Sequence, residues 1–313
     1  MTTTTWAERI EAAASVISQH LEPTPLVALD VAGFAAPAYL KLESLQPTGS
    51  FKVRGALAAV AASMADGRPV VTASAGNHGL GIAFAAERLG AQATVVVPET
   101  ASPAKIEALR RFAVDLRLVG DGYDAAEAAA LAIADRSGGR YVSAYTDPDV
   151  IAGQATVMHE IAAVLPGPAR VVVPVGGGGL ASGTALGAPE RLSVLGVEAA
   201  ASRAVSASMT AGQVVQVEVR PTIADGLAGN IAEDALTPGI LRTAGVPVVA
   251  AEEAAIEQAV AELALRHGVV AEGSGAVGVA AALGGALPTD LPTVFVITGR
   301  NITAARLSTL VAP

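Results

Sequence analysis

Short β-branched runs alternate along this chain with longer alanine-rich stretches whose polar residues recur at helical spacing. Strand-like runs are Ala38–Leu42, Pro69–Ala73, Ala93–Val97, Asp115–Val119, Arg140–Ser143, Arg170–Val175, Leu192–Val197, Val246–Val249 and Thr293–Ile297. Between them the pattern predicts helices over Gly79–Leu89, Pro103–Phe112, Tyr123–Ser137, Val150–Leu165 and Glu252–His267. Such alternation belongs to α/β proteins with parallel sheets. No repeat or flexible linker interrupts it, so a second domain has to arise by the chain crossing over and back.

Many of these runs end in small or polar residues at the following turn. "VTASAGNHG" (71–79), "VVVPVGGGGLASG" (171–183) and "FVITGRN" (295–301) all do so. In open α/β sheets ligands bind beyond the carboxyl ends of strands. Three such loops predict one site assembled from distant segments.

Composition narrows the class. Hydrophobic residues make up 52% and charged residues 16%, with a mean hydropathy of +0.50, so membrane spans have to be considered first. No uncharged, strongly apolar run approaches the roughly 20 residues a span requires; Val157–Leu165 holds His159 and Glu160 and stops at Pro166. The N-terminus lacks a basic start followed by an apolar core and does not read as a signal peptide. A soluble, cytoplasmic protein with no membrane partner is expected. The absence of cysteine excludes disulfides and thiolate catalysis. His20, His78, His159 and His267 show no metal-ligand spacing. A net charge of −9 without a basic stripe argues against nucleic acid. The apolar excess is explained equally by an oligomer interface and by a large α/β core.

Gly176, Gly177, Gly178 and Gly179 separate a strand from a helical stretch beginning at Leu180. Bare backbone N–H groups at the positive end of a helix make an anion site; the alternative is a tightly packed turn. A dinucleotide fingerprint fits less well, because G-G-G-G-L-A-S-G is not G-x-G-x-x-G, although Glu198 lies about 20 residues on. A P-loop is excluded, since no Lys-Ser/Thr follows. In "SAGNHG" (74–79), Ser74 and Asn77 either cap a helix or join backbone amides in holding a carboxylate or phenolate oxygen. Lys52, in "LESLQPTGSFKVRGA" (42–56), is either a solvated lysine at a helix start or a reactive amine. Lysine forms Schiff bases with carbonyl compounds, and pyridoxal phosphate carries a carbonyl and a phosphate together.

"PTGSFKVRGA", "SAGNHGLGIA", "PVGGGGLASG", "TIADGLAG" (222–229) and "EGSGA" (272–276) occur in this order. In this the chain resembles the serine/threonine dehydratases, fold-type II pyridoxal-phosphate enzymes related to serine racemase, from about Ala12 to Asn301. The resemblance implies a tryptophan-synthase-β-like fold of two α/β domains, with 1–42 and 146–313 forming the larger, cofactor-binding one and 43–145 the smaller. It also implies a homodimer. The chain ends at Pro313, which implies that the C-terminal regulatory domain of biosynthetic threonine dehydratases is absent.

By the same resemblance Lys52 bonds the cofactor's aldehyde carbon and then acts as base at the substrate α-carbon. Phe51 packs against the cofactor, Asn77 bonds the ring 3-oxygen, Gly176–Gly179 cradle the phosphate and Thr298 meets the pyridine nitrogen. Ser74, Ala75, Gly76, Asn77 and His78 form the segment that holds the substrate carboxylate. The implied activity is dehydration and deamination of L-threonine or L-serine to a 2-oxo acid and ammonia. Alternatives are a dehydratase of 3-hydroxyaspartate or another β-hydroxy amino acid, serine racemase, an idle cofactor carrier, and a nicotinamide-dependent dehydrogenase.

Three departures bear on the choice. Ala75 stands where serine racemases usually carry the serine that returns a proton on the opposite face, which favours elimination. Glu198 matches the first acidic ligand of the divalent-cation site of some relatives, but the later aspartate is replaced by Ala204 with Arg203 beside it. A degraded metal site with an Arg203–Glu198 pair, and no cation requirement, is expected. Arg300 stands where glycine is common; it either faces solvent or reads an anionic substrate side chain.

Overall fold

The computed structural model describes residues 4–30 and 35–312; Thr2 and Thr3 of the N-terminal threonine run lie outside them. The chain forms two compact units. The first takes in residues up to Glu22 together with Lys52–Thr156, and the second Pro23–Phe51 with Val157 onward. Both are discontinuous. The division falls at 22/23, 51/52 and 156/157, whereas the sequence reading set it at 42/43 and 145/146. The helix Trp6–Ile17 accounts for part of this difference, because it packs on the helices Lys52–Ala65 and Pro148–Gln154.

The strands in chain order are β1 (Leu26–Leu29), β2 (Ala38–Lys41), β3 (Val70–Ala73), β4 (Ala93–Val97), β5 (Asp115–Leu118), β6 (Arg140–Tyr141), β7 (Ala169–Pro174), β8 (Leu192–Ala199), β9 (Val248–Ala251) and β10 (Thr293–Val296). In the first unit the sheet order is β5-β4-β3-β6, parallel throughout. The helix Tyr123–Ser137 lays Ala126, Ala130 and Ala134 on Val71, Ala73 and Val96. That four-residue spacing keeps one alanine stripe on the sheet.

In the second unit the order is β1-β2-β10-β7-β8-β9, parallel except for the β1–β2 pair. The helix Gly273–Leu283 is buried on nearly every side and joins Val172, Leu195, Val197 and Phe295 in the core. A helix so enclosed shows no amphipathic period. Within each sheet the parallel strands deliver their carboxyl ends to one edge, as the loop pattern predicts.

Two helices differ instructively from the sequence pattern. The expected helix Val150–Leu165 is broken into Pro148–Gln154 and Thr156–Val164. Thr156 Oγ1 donates to the Gly153 carbonyl at 2.8 Å and accepts from the fully buried Arg54 Nη1 at 3.1 Å. A side chain that bonds a helical carbonyl interrupts the ladder, while the apolar period runs on across the break. The expected Pro103–Phe112 ends at Leu109. Among the described residues no helix is long and apolar enough to cross a membrane.

Candidate active site

In the first unit the segment Ser74–Gly76 leaves the carboxyl end of β3, an interior strand of its sheet. Gly76 N donates to Ser74 Oγ at 3.2 Å, and the helix Asn77–Leu89 starts without a side-chain cap on Gly76. Its first-turn N–H groups therefore face outward from the helix end. Lys52 is the first residue of the helix Lys52–Ala65, and its Nζ donates to the Ala144 carbonyl at 3.0 Å. The two helices meet closely because position 81 is glycine: a Cβ there would lie 3.1 Å from the backbone carbon and oxygen of Lys52.

His78 is buried, with Nε2 3.0 Å from the Val142 carbonyl. A carbonyl only accepts, so Nε2 carries the hydrogen. Burial, reinforced by the nearby Lys52 charge, pushes the imidazole pKa down to about 3. The ring is neutral at any working pH, and its enclosed Nδ1 is an acceptor without a partner. The side chain cannot serve as a cationic clamp for a carboxylate. Sequence reasoning missed the β6 exit, Val142–Ala144. Its carbonyls receive both His78 and Lys52, and Thr72 Oγ1 also donates to Val142 at 2.9 Å. A carbonyl belongs to every residue, so no residue type could have signalled it.

In the second unit the four glycines follow β7 through Val175. Gly178 has φ +84° and caps the helix Gly179–Leu186, whose first backbone bond is Ser182 N to Gly178 O at 2.8 Å. Only glycine adopts that φ without strain. A Cβ at Gly178 would lie 2.8 Å from Thr237 Cβ, and one at Gly176 would lie 3.0 Å from Leu227 Cα. Thr237 Oγ1 donates to the Gly177 carbonyl at 2.7 Å. The motif 222–229 thus packs on the glycine turn. It is itself anchored by Glu253, which accepts from Thr222 Oγ1 and Ile223 N at 2.6 Å, and by Ser274 Oγ, which accepts from Gly226 N at 3.0 Å. In the sequence the motifs 222–229 and 272–276 carried only the family resemblance; the hydrogen bonds above show that both brace the glycine turn.

Thr298 follows β10 and is 3% exposed; its carbonyl accepts from Phe51 N at 3.0 Å. Glu198 is 1% exposed, and its Oε1 accepts from Val205 N at 2.9 Å and Ser206 N at 3.2 Å. The expected Arg203 ion pair is not formed: backbone amides of the next helix take Oε1, Oε2 has no partner, and Arg203 acts on the carboxylate only through longer-range charge. Burial pushes the Glu198 pKa up, against the hydrogen bonds and that charge. Among the described residues no cluster of three or more His, Asp or Glu could hold a metal.

These residues fit pyridoxal phosphate. The side-chain-free turn at a helix N-terminus suits a phosphate, the partly buried Lys52 amine suits an aldehyde, and the Thr298 hydroxyl, bonded to no other described residue, suits a ring nitrogen.

Comparison with known proteins agrees. The sequence profile of the family described as "Pyridoxal-phosphate dependent enzyme" matches residues 17–299. An L-threonine ammonia-lyase of Geobacter sulfurreducens is 40% identical over 282 residues, covering 88% of this chain and 70% of that protein. One from Thermotoga maritima is 42% identical over 270 residues, 84% of this chain and 67% of that one. Among solved structures, the processed form of threonine deaminase isoform 2 from Solanum lycopersicum superposes with a TM-score of 0.88 at 28% identity, over 97% of this chain and 92% of that one. Maize serine racemase gives 0.88 at 26%, over 96% and 95%. With Lys52, the glycine turn and Thr298 all present, the chain belongs to the pyridoxal-phosphate-dependent enzyme family.

Proposed function

We propose that this chain is a threonine/serine ammonia-lyase, converting L-threonine to 2-oxobutyrate and ammonia. The observation that carries the reading is Lys52: a partly buried amine at a helix start, held on the Ala144 carbonyl beside an imidazole that stays neutral. Its agreement in kind with relatives named L-threonine ammonia-lyase supplies the substrate.

Pyridoxal phosphate, when bound, supplies an electron sink for a bond broken at the substrate α-carbon. The roles of the protein follow from its own groups. The amides of Gly176–Gly179 bind the phosphate, Phe51 packs on the ring, and Asn77 holds the 3-oxygen. The Ser74–His78 segment orients the substrate carboxylate. Lys52 takes the α-proton as a neutral amine, and a neutral neighbour at His78 adds no charge of its own beside it. Thr298 offers the ring nitrogen a hydroxyl, which does not enforce ring protonation as a carboxylate would. Charge developing at the α-carbon is then best relieved by loss of the β-hydroxyl as water. The released enamine takes up water and gives up ammonia, so atoms balance without an oxidant. Ala75 carries no proton to return to the opposite face, which disfavours racemisation.

The reading includes a cytoplasmic homodimer, checked by solution mass, and no divalent-cation requirement, checked by assay with EDTA and with added Mg²⁺. The central test incubates purified protein with L- and D-β-hydroxy amino acids and measures 2-oxo acid. Threonine and serine should be converted, and Lys52→Ala should lose both turnover, by about a hundredfold or more, and the absorbance of the bound cofactor. No oxo acid from any substrate defeats the proposal.

A further inference from the structure

The sheet of the first unit ends in a strand that pairs on one side only: β5 bonds β4, and among the described residues no strand lies beyond it. Val119 N donates to the Val97 carbonyl at 2.9 Å, and backbone groups alternate in direction along a strand. Arg117 and Asp115 therefore turn theirs to β4, while Leu116, Leu118 and the preceding Val114 turn theirs to the open edge. Val114 N is taken locally by the Phe112 carbonyl at 2.9 Å. The edge is accessible: Leu118 is 38% exposed, and the Asp115 and Arg117 side chains are about half exposed.

An open edge recruits other strands, and proteins commonly guard it with charge. Such a guard repels a second copy when its charges share one sign. β5 instead carries one of each, Asp115 and Arg117, on the same face. The run Val114-Asp115-Leu116-Arg117-Leu118 is thus complementary to itself in the antiparallel sense. About a twofold axis at Leu116, Asp115 of each copy lies opposite Arg117 of the other, Leu116 opposite Leu116, and Val114 opposite Leu118. The Leu116 pair then exchanges both backbone bonds, and each Leu118 N–H reaches a Val114 carbonyl. The Asp115 and Arg117 pairs fall at the non-hydrogen-bonded positions, where opposed side chains are closest. Opposite charges facing each other stabilise a ladder and like charges destabilise it. A slip of two residues sets Asp115 against Asp115 or Arg117 against Arg117, so the charges also select the register. The ion pair within the strand uses only Asp115 Oδ2, with Arg117 Nε and Nη2 at 2.9 and 2.8 Å. Oδ1 and Nη1 are left for the second copy.

We propose that β5 is an interaction surface for a second copy of this chain, the two edges pairing antiparallel about Leu116 and joining two four-stranded sheets into one. The contact goes beyond the ammonia-lyase reading and does not depend on it. Where copies also meet through another face, β5 pairing adds one association step to that assembly.

The test uses the full-length protein with Arg117→Asp, with Asp115→Arg, and with both changes together. Sedimentation over a concentration series reads the association step. Either single change sets like charges opposite each other twice and should weaken that step about tenfold or more. The double change exchanges the two charges, restores both opposed pairs and should return association to near the wild-type level. Because the chain has no cysteine, Leu116→Cys places one thiol per copy at the axis. A short bis-maleimide should join two such chains, and should no longer do so once Arg117→Asp is added. Equal association in the wild type and all three charge variants overturns the proposal, as does a Leu116→Cys protein that gives no cross-link. Neither readout uses turnover, so a failure of the ammonia-lyase reading leaves this test intact.

Discussion

At the residue scale, the neutral imidazole of His78 makes the first unit sensitive to acid in a calculable direction. Its pKa in the folded protein is about 3 against an ordinary 6.5, so between those values the unfolded chain binds the extra proton. Stability contributed by this group is complete above about pH 6.5 and is lost as pH falls, at up to about 1.4 kcal/mol per unit. A His78→Asn variant, able to keep a donor on the Val142 carbonyl, lacks that dependence. Urea unfolding from pH 7 to pH 4.5 should show the stability gap between wild type and variant narrowing as pH falls; a constant gap would mean that the imidazole titrates normally. What the sequence disclosed at this scale was residue type at a motif position: Lys52, Asn77, the glycines and Thr298. It concealed partners supplied by the backbone, Ala144 for Lys52 and Val205 with Ser206 for Glu198. The expected Arg203–Glu198 pair failed for that reason, since adjacency of opposite charges in sequence says nothing about amides that reach the carboxylate first.

At the scale of elements, the phosphate role proposed for the glycine turn ties cofactor retention to local conformation. Gly178→Ala combines a left-handed backbone with contact against Thr237. About 1–2 kcal/mol for the first and about 1–3 for the second are set against the turn whose amides are proposed to bind the phosphate. Equilibrium dialysis should show pyridoxal phosphate held at least about tenfold more weakly, while near-wild-type affinity would mean the turn relaxes freely. The strand–helix alternation and most strand positions could be read beforehand because β-branched runs between alanine-rich segments have one physical meaning. The helices Gly273–Leu283 and Thr156–Val164 were harder. The first is enclosed on nearly every side, and the second is separated from its neighbour by a threonine–carbonyl bond that leaves no mark on hydropathy.

At the scale of the molecule, each of the two compact units draws on two separate stretches of chain. Helix Trp6–Ile17 joins the first unit by tertiary contact with segments nearly 50 and 140 residues away. The order of strands in the second unit has a consequence for how the protein comes into being. β10 lies between β2 and β7, pairing in parallel with both, yet it is the last of these strands to leave the ribosome. Until Thr293–Val296 emerges, the sheet lacks its middle, and β2 and β7 each present an unsatisfied edge of the kind that recruits other chains. A chain stopped after Asp290 should accumulate in the insoluble fraction of expressing cells, where one stopped after Asn301 should not, and fractionation of the two reads the difference directly. Nascent chains of this protein are thus exposed to aggregation from the emergence of β2 until that of β10, and their need for chaperones should fall once β10 has cleared the exit tunnel.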